Sequence, residues 1–225
     1  MERHFEQQID ALKEVLLLMG GRAESAIQKS IRALERRDAA VAEQVFDDDR
    51  AIDRDEIDVE GRCIDLLALQ QPLASDLRFI TAALKISNDL ERCGDHAVNI
   101  AGSAIRLARQ PQLKPLVDIP RMEERATGML RDALDAFVRR DGVAARRLVL
   151  QDDEVDQLNQ QVFRELITFM LEDPTTITRA LELILVARNL ERVADLATNI
   201  AEEVVFIAEA RIIKHHAEEA DFGRT

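Results

Sequence analysis

A chain of 225 residues, 47% hydrophobic and 32% charged, suffices for one large or two small globular domains and is too apolar for a disordered segment. Eight Gly and five Pro, with Trp and Tyr absent, favour helices with aliphatic cores over sheets. A formal charge of −13 argues against nucleic acid, which needs a basic surface, and favours cations and basic protein surfaces as partners.

Apolar residues at Phe5, Ile9, Leu12, Leu16, Met19, Ala23, Ile27, Ile31 and Leu34 step by three and four, predicting one long amphipathic helix over residues 4–37. Gly20-Gly21 lies inside it, costing about 1 kcal/mol per glycine, and marks a kink or a close helix crossing. Asp38 is placed to cap a second helix running to Leu69. Pro72 ends that pattern, and a third helix is expected over residues 75–109. Pro111, Pro115 and Pro120 read as the linker between two halves.

The second half repeats the first. Arg139-Arg140-Asp141 matches Arg36-Arg37-Asp38, and Asp173-Pro174, read as cap and first helical residue, stands where Pro72 turns the first half. The sequence Leu90-Glu91-Arg92-Cys93-Gly94-Asp95-His96-Ala97-Val98-Asn99-Ile100-Ala101 returns as Leu190-Glu191-Arg192-Val193-Ala194-Asp195-Leu196-Ala197-Thr198-Asn199-Ile200-Ala201. Two unrelated amphipathic helices would share apolar positions, but seldom also a Glu, an Arg, an Asp and an Asn, so the chain is an internal duplication. Each half is then helix, turn, helix, turn, helix, with short turns making neighbours antiparallel. The expected architecture is all-α: two tandem three-helix bundles over residues 1–112 and 118–216, and a polar tail over 217–225.

Each half carries two acid-x-x-x-acid pairs, one on its second helix and one on its third. They are Asp49 with Asp53 and Glu91 with Asp95, then Asp152 with Asp156 and Glu191 with Asp195. Four residues apart on a helix, the carboxylates share a face, roughly 6 Å apart along the axis. Such like-charge pairs cost roughly 0.2–0.5 kcal/mol each. A cost repeated at matching positions points to a cation that answers it. By phase, Asp49, Asp53, Glu56 and Glu60 fall within the apolar half of their helix. Ile52, Val59 and Cys63 flank them on one side, and Ile57 and Ile64 on the other. Asp152, Asp156 and Asn159 sit likewise among Val155, Val162, Leu166 and Ile167. Glu91, Asp95 and Asn99 lie roughly opposite the main apolar stripe, which places the site near the bundle's flank. The alternative is an acidic face that is merely solvated or bridged by Arg92 and Arg192.

All-oxygen donors suit Mg, Mn, Ca or Fe. The Glu-x-x-His of di-iron bundles is missing, since Gly94 and Ala194 stand where the His would be. His96 is matched by Leu196, which favours a packed or exposed histidine over a ligand, and His215-His216 falls in a polar, solvated tail. No phosphate loop or nucleophile elbow occurs. The longest apolar runs, such as Val15 to Met19, fall far short of a membrane span. The start, Met1-Glu2-Arg3-His4, is unlike a signal peptide. Cys63 and Cys93 lack metal-type spacing and fit reduced thiols in a cytoplasm.

The duplication, the four acidic pairs and the segments Asn88-Asp89-Leu90-Glu91-Arg92-Cys93-Gly94-Asp95-His96 and Ala187-Arg188-Asn189-Leu190-Glu191-Arg192-Val193-Ala194-Asp195 together resemble the PhoU family. Leu18-Met19-Gly20-Gly21 and the Pro72 to Arg78 run are similar to that family too. The resemblance implies two three-helix bundles without enzymatic activity, in a cytoplasmic, homodimeric negative regulator of the phosphate-starvation response. It implies contact with a sensor histidine kinase and the phosphate ABC transporter, as a peripheral partner not inserted in the membrane. It further implies metal on the paired acids, with Mg, Mn, Fe and Zn open as its identity. The implied ligands are Asp49, Asp53, Glu91 and Asp95 in one half and Asp152, Asp156, Glu191 and Asp195 in the other. Two readings stand beside it: a helical adaptor of another transport system without a specific metal site, and a carboxylate-bridged metal enzyme.

Overall fold

The computed structural model describes residues 2–70 and 72–211. Among them the chain forms α1 (Glu2–Arg36), α2 (Ala39–Gln70), α3 (Ala74–Ala108), α4 (Asp118–Arg139), α5 (Gly142–Val149), α6 (Asp152–Glu172) and α7 (Ile177–Glu209). A single 3-10 turn, Pro174–Thr176, precedes α7. The expected tail, with His215 and His216, lies outside the described residues.

The helix boundaries follow from the signals in the sequence. The apolar stripe of α1 is its buried face: Ile9, Leu12, Leu16, Met19, Ala23, Ile27, Ile31 and Leu34 are buried, with Phe5 packed against them. Gly20 marks a close crossing and not a break. A Cβ there would overlap Leu134 Cδ1 of α4, whereas one at Gly21 would meet nothing within 4 Å. The first corner of each bundle is built alike. Arg37 and Arg140 take left-handed backbone, with φ of 55° and 53°. The next amide, of Asp38 or Asp141, then donates back to Ala33 O at 3.0 Å or Ala136 O at 2.9 Å. The two aspartates start the following helices: Asp38 Oδ1 accepts from the amides of Ala40 and Val41, and Asp141 Oδ1 from that of Ala144. The Arg37 guanidinium then donates to the carbonyls of Leu107, Ala108 and Gln110, tying the corner to the end of α3.

α1, α2 and α3 pack as one three-helix bundle; α4, α7 and the α5–α6 pair form the other. The bundles meet along α3 with α7 and α1 with α4, and their buried side chains form one continuous cluster. At this seam Phe79 of α3 stacks on Phe137 of α4, with ring centroids 4.9 Å apart. Across α3 and α7, Lys85 pairs with Glu203, His96 with Asn189 and Arg106 with Glu182. Partner numbers fall on α7 as they rise on α3, so the two helices run antiparallel.

Three expectations need correction. The middle helix of the second bundle is not continuous: it halts at Leu150-Gln151 between α5 and α6, where i→i+3 bonds link Gln151 to Leu148 and Glu154 to Gln151. Asp152, Asp153 and Glu154 fill the first turn of α6, and three acids favour a helix N-terminus there. Pro120 is not in the linker but in the first turn of α4, where its missing N–H would have no helical partner anyway. Ile57 and Ile64 do not flank the acids inside the fold; they are 67% and 54% exposed, because the packed side of α2 runs through Ala42, Val45, Ile52, Val59, Cys63 and Leu66.

Candidate metal centre

α2 and α3 approach each other closely at Gly94. A Cβ built there would lie 2.7 Å from Asp49 Oδ1 and 3.1 Å from Ile52 Cδ1, so the missing side chain lets the Asp49 carboxylate rest against the α3 backbone. Asp49, Glu56 and Glu91 are half-buried, while Asp53 and Asp95 are exposed. Burial, then the Asp53 and Asp95 carboxylates, push Asp49 up to about 6. Burial first, then Asp95, Glu56, Asp53 and Asp49, push Glu91 up to about 7. These mutual effects put the five acids within electrostatic reach of one another on the flank of the first bundle. Glu56 thus joins the four acids expected as ligands; its signal was its position three residues beyond Asp53 on the same face.

The second bundle repeats the arrangement with differences. Asp152, Asp156, Glu191 and Asp195 are all half-buried. Burial, then Asp195, Asp156, Asp153 and Glu191, raise Asp152 to about 6. Asp156 and Glu191 are also raised, by burial and then Asp195, with Arg192 opposing in both. Arg192 donates to Asp195 Oδ2 at 2.7 Å and stands 3.9 Å from Glu191. Its counterpart Arg92 instead stands 3.6 Å from Asp89. Asn159 occupies the place of Glu56. His96 is half-buried in the seam against Asn189, as a packed histidine. Asn99 is exposed, and Asn199 lines a polar cleft between α3 and α7 with Lys85, Asn88, Asp89 and Arg92.

The PhoU domain model matches residues 16–104 and again 119–204, once for each bundle. The chain belongs to the PhoU family. It is 44% identical over 209 residues to the phosphate-specific transport system accessory protein PhoU homolog of Aquifex aeolicus, covering 93% of this chain and 95% of that one. The Caulobacter vibrioides NA1000 homolog is 41% identical over 91% of this chain and 89% of its own. The crystal structure of PhoU from Pseudomonas aeruginosa superimposes with a TM-score of 0.88 at 36% identity, covering 92% of this chain and 100% of that one. The phosphate transport system regulatory protein PhoU from Streptococcus pneumoniae superimposes at 0.86 and 27% identity, covering 93% and 99%. The PhoU architecture of two tandem three-helix bundles is therefore this chain's fold.

The paired acids suit a hard cation on two observations. Every donor is a carboxylate oxygen. Asp152 Oδ1 is buried without a hydrogen-bond partner, a costly state for a carboxylate unless something positive meets it. Among the described residues no three His, Cys, Asp or Glu side chains close on a common point. The carboxylates would therefore turn toward one another to take an ion. Among the described residues, no helix is long and apolar enough to cross a membrane.

Proposed function

We propose that this protein is a negative regulator of the phosphate-starvation response that works by contact, binding metal at its two acid sites. The observation that carries the reading is the likeness, across both bundles, to proteins named as accessory to phosphate-specific transport. Its partners are a sensor histidine kinase and the phosphate ABC transporter, met as a homodimer from the cytoplasmic side. Phe163, Leu171, Leu181 and Leu185 on α6 and α7 are exposed apolar side chains that such a contact would cover. The protein is not an enzyme on this reading, which rests on the accessory role in the names of its relatives.

The ligands would be Asp49, Asp53, Glu91 and Asp95 in the first bundle and Asp152, Asp156, Glu191 and Asp195 in the second. A bound Mg, Mn, Fe or Zn ion would supply the positive charge these acids lack and brace the second and third helices of each bundle. The function is tested by deleting the gene and following phosphate-uptake genes in phosphate-rich medium. Constitutive expression, reversed by the intact gene, is expected; unchanged phosphate control in the deletion strain would refute the regulator.

A further inference from the structure

Each acid cluster has an apolar continuation along the same flank, and both copies of the repeat keep it. Ile64 follows Asp53, and Ile167 follows Asp156, by roughly 16 Å and within roughly 20° of the same direction around the helix. Leu77 precedes Glu91, and Ile177 precedes Glu191, by roughly 21 Å and within roughly 40°. All four aliphatic side chains are at least 36% exposed. A single exposed aliphatic residue is ordinary, but two positions left apolar and uncovered in both copies form a pattern. The second flank is the richer. Phe163, Leu181 and Leu185, also exposed, stand where the first has Glu60, Thr81 and Lys85. At the other end of each flank acid exceeds base. Arg50 and Arg92 beside the first cluster lie near Asp47 and Asp89. Arg192 answers Asp195 in the second, with Arg188 nearby, while Asp153 adds to the acids there.

Resting on the contact role above, we propose that the α6–α7 flank of the second bundle receives an amphipathic helix of a partner protein. That helix carries Lys or Arg at one end and, three to four turns along, apolar side chains at i, i+4 and i+7. The apolar end covers Phe163, Ile167, Ile177 and Leu181, and the cations meet the carboxylates of Asp156 and Asp195. The α2–α3 flank of the first bundle is a weaker copy of the same surface. Charge selects this occupant. A second copy of this acidic chain would set acids against acids or against the apolar strip, and an anionic membrane would be repelled.

The probe is a fluorescein-labelled synthetic helix with lysines at one end and leucines at i, i+4 and i+7 of the other. Its anisotropy is followed as the full chain is added, in chelator and at physiological ionic strength. Binding is expected, and it should fall roughly tenfold or more when the leucines become serines and again when the lysines become glutamates. Phe163→Ser/Leu181→Ser should weaken binding of the first peptide roughly tenfold, and Ile64→Ser/Leu77→Ser should weaken it less. All four side chains are exposed, so both variants keep the fold, and the peptide substitutions test the proposal without them. No binding, equal binding of the glutamate peptide, or binding unmoved by Phe163→Ser/Leu181→Ser would overturn the surface. Loss of self-association in that variant, read by sedimentation, would overturn it by giving the face to a second copy. None of these results touches the contact role itself, which the deletion strain tests separately.

Discussion

Replacing Glu91 by Gln should make the metal-free protein more stable, and only above a defined pH. Burial and four neighbouring acids raise this carboxyl from 4.5 to about 7. An acid raised in the folded state holds its proton there while the unfolded chain has already lost it. Folding stability therefore falls as pH climbs from 4.5 to about 7. At the full conversion of 1.36 kcal/mol per pKa unit the cost would be ~3 kcal/mol. Glu91 keeps contact with water, where salt and solvent weaken such repulsion, so about 1 kcal/mol is the expected size. Below pH 4.5 the neutral acid and the amide should be equivalent. Above pH 7 the variant should melt roughly 2–4 °C higher in the presence of chelator, as suits a protein of this length. The assay is urea or thermal unfolding of both proteins in chelator across this range. A variant that is less stable at pH 8, or a difference that does not change with pH, would refute the reasoning. Either result would mean that a cation of the protein itself already meets Glu91.

Three further outcomes follow from the fold. Gly20→Ala should destabilise by up to ~2 kcal/mol, since overlap with Leu134 outweighs the helix-propensity gain, while Gly21→Ala, with open space around it, should stabilise by about 1 kcal/mol; urea midpoints measure both. Lys85→Ala should cost about 1–3 kcal/mol, because Glu203 is 2% exposed and accepts two bonds from that ammonium across the seam. Asp38→Ala should cost about 1 kcal/mol through two lost amide bonds at the start of α2, read from the same unfolding curves.

Helix positions were legible wherever a local rule governed them. The three- and four-residue steps of α1 and the caps at Asp38, Asp141 and Asp173 need only neighbouring residues. The recurrence of Glu, Arg, Asp and Asn marked the matching stretches of α3 and α7 that carry the paired acids. Contacts between distant elements were not legible. The pairing of His96 with Asn189 and of Lys85 with Glu203 depends on how α3 crosses α7, which periodicity within one helix does not encode. Ile57 and Ile64 misled because helical phase places a residue on an angle around the axis, while burial depends on which angles a neighbour covers. The joint at Leu150-Gln151 contains neither Gly nor Pro. Its trace is the run Asp152-Asp153-Glu154, an N-terminal signal hidden inside an apparently continuous repeat. Nor did the repeat show that Arg92 lies near Asp89, where the second half has Asn189, while Arg192 turns to Asp195.

The paired carboxylates as cation sites are tested most directly by elemental analysis of protein purified without chelator or affinity tag. The comparison is a folded variant carrying Asp49→Ala, Asp95→Ala, Asp152→Ala and Asp195→Ala. Metal in the natural protein and none in the variant is the expected result. No metal in either, or equal metal in both, would contradict it and leave the acids as electrostatic surface.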